Sequence, residues 1–302
     1  MTIQNENSDG NYFPLSYAFG EFQTQEELDP EYDVEKAVLE FPKYIDLYQS
    51  ESLKTRNEIS VYENVQYGQT LMERLNVYAA EQPDAPVLIF VHGGYWKLGV
   101  GEDYDFVASG LHKAGFTVVV ISYGLAPKIS IPEMVRQIRD SIAWTSKNIL
   151  DFNGNPNRIF IAGHSAGAHL ATMAAFTDWQ EYGLGKNTVK GILAISGLYD
   201  LEPVSQTFVQ PTVRITAEQI LYLSPIRLIR PSNIPIIVSW GGLETKAFVK
   251  QSSNFIDAWL KVGNNGQKLI VEKAHHFNIL EEFSENGLFT KAITELAAKN
   301  SD

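Results

Sequence analysis

Ile159-Phe160-Ile161-Ala162-Gly163-His164-Ser165-Ala166-Gly167 joins a short apolar run to a Gly-x-Ser-x-Gly turn, and the residues from Ala166 to Ala175 are rich in alanine. An apolar run this brief, carrying Ile and Phe, predicts a buried strand, and the alanine-rich stretch after it predicts a helix. A strand that turns into a helix through Gly-x-Ser-x-Gly is a nucleophile elbow. The turn is tight, so Gly163 and Gly167 must be small to let strand and helix pass. Ser165 is then held at the tip with the helix N-terminus beneath it. It is the candidate nucleophile, and the remaining chain can be searched for groups that serve it.

The segments on either side repeat the alternation. Ala85-Pro86-Val87-Leu88-Ile89-Phe90-Val91 is a continuous apolar run of the kind buried in a parallel sheet, and it ends in His92-Gly93-Gly94-Tyr95-Trp96. Phe116–Ser122, Val189–Ser196, Ile234–Trp240 and Lys268–Glu272 read as further strands. Pro132–Phe152, with apolar residues at Met134, Ile138, Ile142 and Ile149, and Phe248–Val262 read as helices. Between Glu58 and Ala79, partial alternation through Val61, Val65, Leu75 and Val77 predicts two antiparallel strands around a turn at Tyr67-Gly68. The expected fold class is α/β, a mostly parallel twisted sheet of about eight strands with helices on both faces. Ligands of such sheets gather at the carboxyl ends of the strands, where His92-Gly93-Gly94, Ser165, Asp200, Trp240-Gly241-Gly242 and His275-His276 all fall.

Residues 1–20 read as a flexible polar tail and 21–302 as one domain. Within 21–57, Val34, Val38, Phe41, Ile45 and Tyr48 are spaced by three and four, making one apolar face of short helices, and Pro42 suits a first turn. This segment is expected to pack on the body, with a share in the substrate entrance as the alternative. Residues 201–230 form a long connection, helical at Ala217–Leu223, that reads either as a small lid or as an ordinary insertion.

Composition narrows the function. The 302 residues are 44% hydrophobic, enough for a substantial core. A net charge of −12 argues against nucleic acid and anionic membrane surfaces as partners. There is no cysteine, which excludes disulfides, thiolate zinc sites and a cysteine nucleophile. Met1–Gly10 is polar and acidic, unlike a secretory leader, and the longest apolar runs fall far short of a membrane span; a cytoplasmic location is expected. Histidines do not recur at ligand spacing, and the glycines form neither a phosphate loop nor a dinucleotide fingerprint, so no metal or organic cofactor is expected. Oligomeric state is open, a homodimer included.

A serine hydroxyl needs a base to take its proton, and the base needs a third group to hold its tautomer. Of six histidines only His275 and His276 lie after a late strand downstream of Ser165. His276, directly before Phe277 and Asn278 where the last helical segment begins, is favoured as the base, with His275 as the alternative. His92 and His164 read as structural, His169 as pointing back along the elbow helix, and His112 as a surface or cap residue. Glu244, the first carboxylate after Trp240-Gly241-Gly242, is favoured as the acid over Asp200, which otherwise caps a turn. The amides of Ala166, Gly93 and Gly94 are the candidate oxyanion donors, because glycines let a loop turn its N–H groups inward. Tyr95, Trp96, Tyr123, Tyr199, Trp240 and Phe277 flank this region and would suit a flat aromatic substrate, or else are simple packing.

On His92-Gly93-Gly94-Tyr95-Trp96, Gly163-His164-Ser165-Ala166-Gly167-Ala168-His169-Leu170, Ser196-Gly197-Leu198-Tyr199-Asp200-Leu201, Glu244 with Phe248 and Gln251-Ser252, and His276-Phe277-Asn278, the chain resembles the α/β-hydrolases, more narrowly the kynurenine formamidase (arylformamidase) branch. Glu27-Leu28-Asp29-Pro30-Glu31-Tyr32 resembles the family's N-terminal stretch. The resemblance implies hydrolysis of the formamide of N-formylkynurenine to kynurenine and formate, without metal or organic cofactor, on a small acyl or formyl substrate. It also implies His276 rather than His275 as the catalytic histidine. The family more often carries aspartate where Glu244 stands, and the extra methylene demands a shifted backbone or histidine. The same motifs recur in related esterases, so they specify mechanism better than substrate. A short-chain carboxylesterase, a biosynthetic acyltransferase or thioesterase, and a non-catalytic binding protein of this fold are the alternatives.

Overall fold

Val118, Val119, Val120 and Ile121 are buried on both sides of their strand, as are Val87 through Val91. β-branched runs without a polar face can only occupy the interior of a sheet covered by helices on both faces. The computed structural model describes Phe22 and residues 24–299, so the expected tail at 1–20 lies outside the described residues. Its strands are β1 Tyr62–Gln66, β2 Arg74–Tyr78, β3 Ala85–Val91, β4 Thr117–Ile121, β5 Gly154–His164, β6 Val189–Ile195, β7 Ile236–Gly241 and β8 Gly266–Val271. They form one sheet in the order β1-β2-β4-β3-β5-β6-β7-β8. β1 and β2 are antiparallel to each other, β2 is antiparallel to β4, and the remaining pairs are parallel. This is the mostly parallel, helix-covered sheet anticipated from the alternation, and it agrees with the α/β-hydrolase fold that the resemblance implies.

Register places the functional loops side by side. Val91 at the end of β3 pairs with Gly163 on β5, and His164 at the end of β5 pairs with Ile195 on β6. The loops after β3, β5 and β6 therefore leave the sheet as neighbours.

Helices cover both faces. Ile131–Asn148 starts with Pro132 in its first turn and buries Met134, Val135, Ile138 and Ile142; the residues read as its last turn, Ile149–Phe152, form a separate tighter turn. Lys246–Lys261 buries Phe248, Phe255, Ile256 and Trp259, and each such side chain contributes about 1.5–3 kcal/mol by leaving water. The N-terminal segment forms Gln25–Tyr32, Val34–Ala37 and Phe41–Glu58, with Pro42 in the first turn of the last. Residues 201–230 fold as short helices Leu201–Val204, Gln210–Val213 and Ala217–Leu223, the last closed by a capping box between Thr216 and Gln219. Among the described residues no helix is long and apolar enough to cross a membrane.

Candidate active site

Ser165 sits between β5 and the helix Ala166–Met173 at φ 55°, ψ −122°. A non-glycine residue in that conformation stores on the order of 1–3 kcal/mol of strain, held by what surrounds it. The amide of Ser165 donates to the carbonyl of Ile195 at 2.8 Å, tying the turn to β6. A Cβ on Gly163 would lie 2.3 Å from the carbonyl oxygen of Gly167, and one on Gly167 would lie 2.1 Å from that of Val91. The first glycine thus makes room for the elbow helix and the second for β3. Ser165 and His276 line one cavity of about 270 Å³.

His276 Nδ1 lies 3.1 Å from Glu244 Oε2. A carboxylate only accepts, so the Nδ1 that faces it carries a proton. The Glu244 side chain is 1% exposed, and its Oε1 accepts from the Gly241 amide at 2.7 Å and from Ser196 Oγ at 2.5 Å. The Glu244 amide donates back to the Gly241 carbonyl at 3.2 Å, closing the turn that carries it. Sequence reasoning placed Ser196 at a strand end and at the head of the motif running to Leu201, but gave its hydroxyl no role.

The competing residues have other partners. Asp200 Oδ1 accepts from the amide of Glu202, capping the helix Leu201–Val204, and lies 3.1 Å from Arg227. His275 Nδ1 accepts from the amides of Phe277 and Asn278, and its Nε2 lies 3.0 Å from the Tyr44 hydroxyl. His92 and His169 are fully buried, which pushes each down to about 4. His112 Nε2 lies 3.0 Å from the Ala79 carbonyl.

The loop after β3 carries three successive residues at positive φ: Gly94 at 103°, Tyr95 at 49° and Trp96 at 56°. The Gly94 carbonyl accepts from the amides of Lys97 and Leu98 at 3.0 and 2.9 Å, closing the turn. A Cβ on Gly93 would lie 3.0 Å from Ser165 Cβ, so only glycine lets this loop come so close to the elbow. Ala166 begins the elbow helix, and a first-turn amide has no intrahelical acceptor.

Of the aromatics expected around the site, Tyr95 and Phe277 line the cavity. Trp96, Tyr123, Tyr199 and Trp240 do not, because each is spent on the body of the fold. Trp96 packs edge-on against His169 at 5.2 Å, Tyr123 stacks on His92 at 4.4 Å and donates its hydroxyl to the His92 carbonyl, Tyr199 stacks on Phe255 at 4.3 Å, and Trp240 is buried in β7. The opposite wall comes from the N-terminal helices through Val34, Glu35, Phe41, Ile45 and Tyr48, whereas no residue of 201–230 lines the cavity. The three-and-four spacing through Val34, Val38, Phe41, Ile45 and Tyr48 signalled an inward face, and four of these five residues line the cavity, in line with the entrance role held as the alternative. Two carboxylates, Glu35 and Asp103, also line the cavity, and no lysine or arginine does. Burial raises the Asp103 carboxyl above its ordinary range. Among the described residues no three His, Asp or Glu side chains gather as a metal-binding set.

The BD-FAE family model matches residues 72–259. Kynurenine formamidase of Danio rerio is 31% identical over 85% of this chain and 89% of its own length, and that of Salmo salar is 35% identical over 72% of this chain and 76% of its own. Among solved structures, a Silicibacter protein with a provisional thioesterase assignment superposes with a TM-score of 0.79 at 26% identity, covering 89% of this chain and 99% of its own.

Proposed function

The chain belongs to the kynurenine formamidase family of α/β-hydrolases, and on that premise we propose that it cleaves an aryl formamide through Ser165, His276 and Glu244. The observation that carries this reading is the Glu244–His276 contact at 3.1 Å, with His276 and Ser165 lining the same cavity. His276 Nε2 accepts the proton of Ser165 Oγ as the oxygen attacks the formyl carbon. Glu244 stabilises the imidazolium so formed without taking its proton. The negative oxygen of the tetrahedral intermediate is met by the amide of Ala166 and by those of Gly93 and Gly94, and each such donor is worth roughly 10²–10³ in rate. Collapse expels the arylamine, which takes the proton back from His276. Water, activated by the same histidine, then releases formate from the formyl-serine.

The walls support a small substrate with one ring. A cavity of about 270 Å³ is near the lower bound of small-molecule sites. Phe41, Tyr48, Tyr95, Tyr104 and Phe277 give it an aromatic lining, and Glu35 and Asp103 favour a protonated amino group on the substrate. N-formylkynurenine has both features, and its carboxylate must then point away from Glu35 and Asp103. The second reading, hydrolysis of short-chain aryl esters, uses the same chemistry and the same small acyl space.

Comparing kcat/KM on N-formylkynurenine and on an aryl acetate tests the substrate. A preference for the formamide supports the proposal, and an ester preference of about 100-fold (about 2.7 kcal/mol) replaces it with the esterase reading. Ser165→Ala must lose on the order of 10⁴-fold or more on both substrates, or the serine mechanism is wrong.

A further inference from the structure

His276 lies in a turn between β8 and the helical turn Asn278–Phe283, so its position depends on contacts from other elements. Two side chains provide them through consecutive carbonyls. His164 Nε2 lies 2.8 Å from the carbonyl oxygen of His276. The Tyr48 hydroxyl donates to the carbonyl of Phe277 at 2.5 Å.

Because a carbonyl only accepts, His164 carries its proton on Nε2, and its buried Nδ1 has no hydrogen-bond partner. His164 therefore uses its single N–H on the loop that holds the base rather than within the elbow. Burial first, and the neighbouring His276 second, push His164 well below the ordinary histidine range. Its neutrality has a use: the two rings are 4.7 Å apart, and a charged His164 would oppose the charge His276 acquires in each turnover. Tyr48, at the other contact, is itself held by stacking on Phe106 at 4.9 Å and packing on Tyr104 at 5.5 Å.

We propose that His164 and Tyr48 are positioning residues that pin the carbonyls of His276 and Phe277 to the elbow and to the N-terminal helix, holding the His276 imidazole in register with Ser165. The proposal rests on the reading of Ser165, His276 and Glu244 as the catalytic set. One consequence is that the N-terminal helix Phe41–Glu58 belongs to the catalytic apparatus and is more than a wall of the cavity. A second is that the residue preceding the nucleophile serves the base.

The test compares His164→Leu, which fills the space without a donor, His164→Gln, which restores an N–H at similar reach, and Tyr48→Phe, which keeps the ring packing. Steady-state kinetics are measured on whichever of N-formylkynurenine or aryl acetate the wild-type enzyme turns over better, alongside Tm. His164→Leu and Tyr48→Phe should each lower kcat about tenfold or more while KM stays within about twofold, since misplacement of a catalytic group by even 1 Å is that costly. His164→Gln should recover most of the loss. The proposal is overturned if both donor-less variants keep kcat within about twofold of wild type, or if Gln does no better than Leu. Should His164→Leu fail to fold, Tyr48→Phe decides: an unchanged kcat sinks the clamp. Labelling the wild-type protein with a fluorophosphonate separates the two levels. No adduct at Ser165 overturns the catalytic set and the clamp with it; an adduct combined with unaltered variants overturns the clamp alone.

Discussion

Ser196 Oγ donates to Glu244 at 2.5 Å, on the carboxylate oxygen that does not face His276. Together with the Gly241 amide, this serine orients the carboxylate from behind, so that Oε2 is left for the histidine. Three neighbouring strand ends thus meet here: Ser196 directly follows β6, Glu244 lies in the turn after β7, and His276 lies in the loop after β8.

That arrangement separates the two candidate acids by experiment. Glu244→Gln should lower kcat by about 10³–10⁴-fold, because an amide in that place favours the wrong imidazole tautomer. Asp200→Asn should leave kcat unchanged, since asparagine also caps a helix, and should cost less than about 1 kcal/mol through its half-exposed pair with Arg227. The reverse pattern would make Asp200 the acid.

Glu35 lines the cavity with no basic residue beside it in the wall. Glu35→Gln should therefore raise KM several-fold for a substrate bearing a protonated amine and leave KM for an uncharged aryl ester unchanged. An equal change on both substrates would mean that Glu35 acts through packing alone.

The elbow is intolerant of added volume. Gly167→Ala places a methyl 2.1 Å from the Val91 carbonyl and should cost about 3 kcal/mol or prevent folding. Gly185→Ala meets nothing within 4 Å and should change stability by less than about 1 kcal/mol. Thermal denaturation of both variants checks the contrast.

Acid should destabilise the fold between pH 6.5 and 4. His92 and His169 are held at about 4, so the folded state favours their neutral forms. Stability from each is complete above the ordinary 6.5 and is lost as pH falls toward 4, at most about 3 kcal/mol per histidine. Asp105, buried against Arg56 and pushed up to about 6 by desolvation, works the other way and stabilises as pH falls through the same range. Burial also holds His164 and His275 low and raises Asp103, Asp140 and Glu281, but the largest shifts belong to the fully buried histidines, so Tm should fall on acidification, and His169→Gln should make the fall shallower. A Tm that rises from pH 6.5 to 4 would contradict these assignments.

Much of this molecule is legible along the chain because its signals are local. The strand-turn-helix at 159–175, the alternation of strands with helices, the glycines at 93, 94, 163 and 167, and the inward face of Val34, Phe41, Ile45 and Tyr48 each follow from periodicity or from backbone space. So does the placement of candidate residues at the carboxyl ends of the strands. The sequence by itself determined the kind of fold and the place of the elbow serine. Partnerships across the chain were decided only by the tertiary structure. His275 and His276 are adjacent and chemically alike, yet Tyr44, 231 residues away from His275 in sequence, holds one, while Glu244 faces the other. Four of the six aromatics weighed as either substrate wall or packing turned into the core, and the N-terminal segment, weighed between packing on the body and a share in the substrate entrance, lines the cavity. The reason is physical: the direction a loop side chain takes is set by which distant donor, acceptor or ring meets it, and no local pattern encodes that meeting.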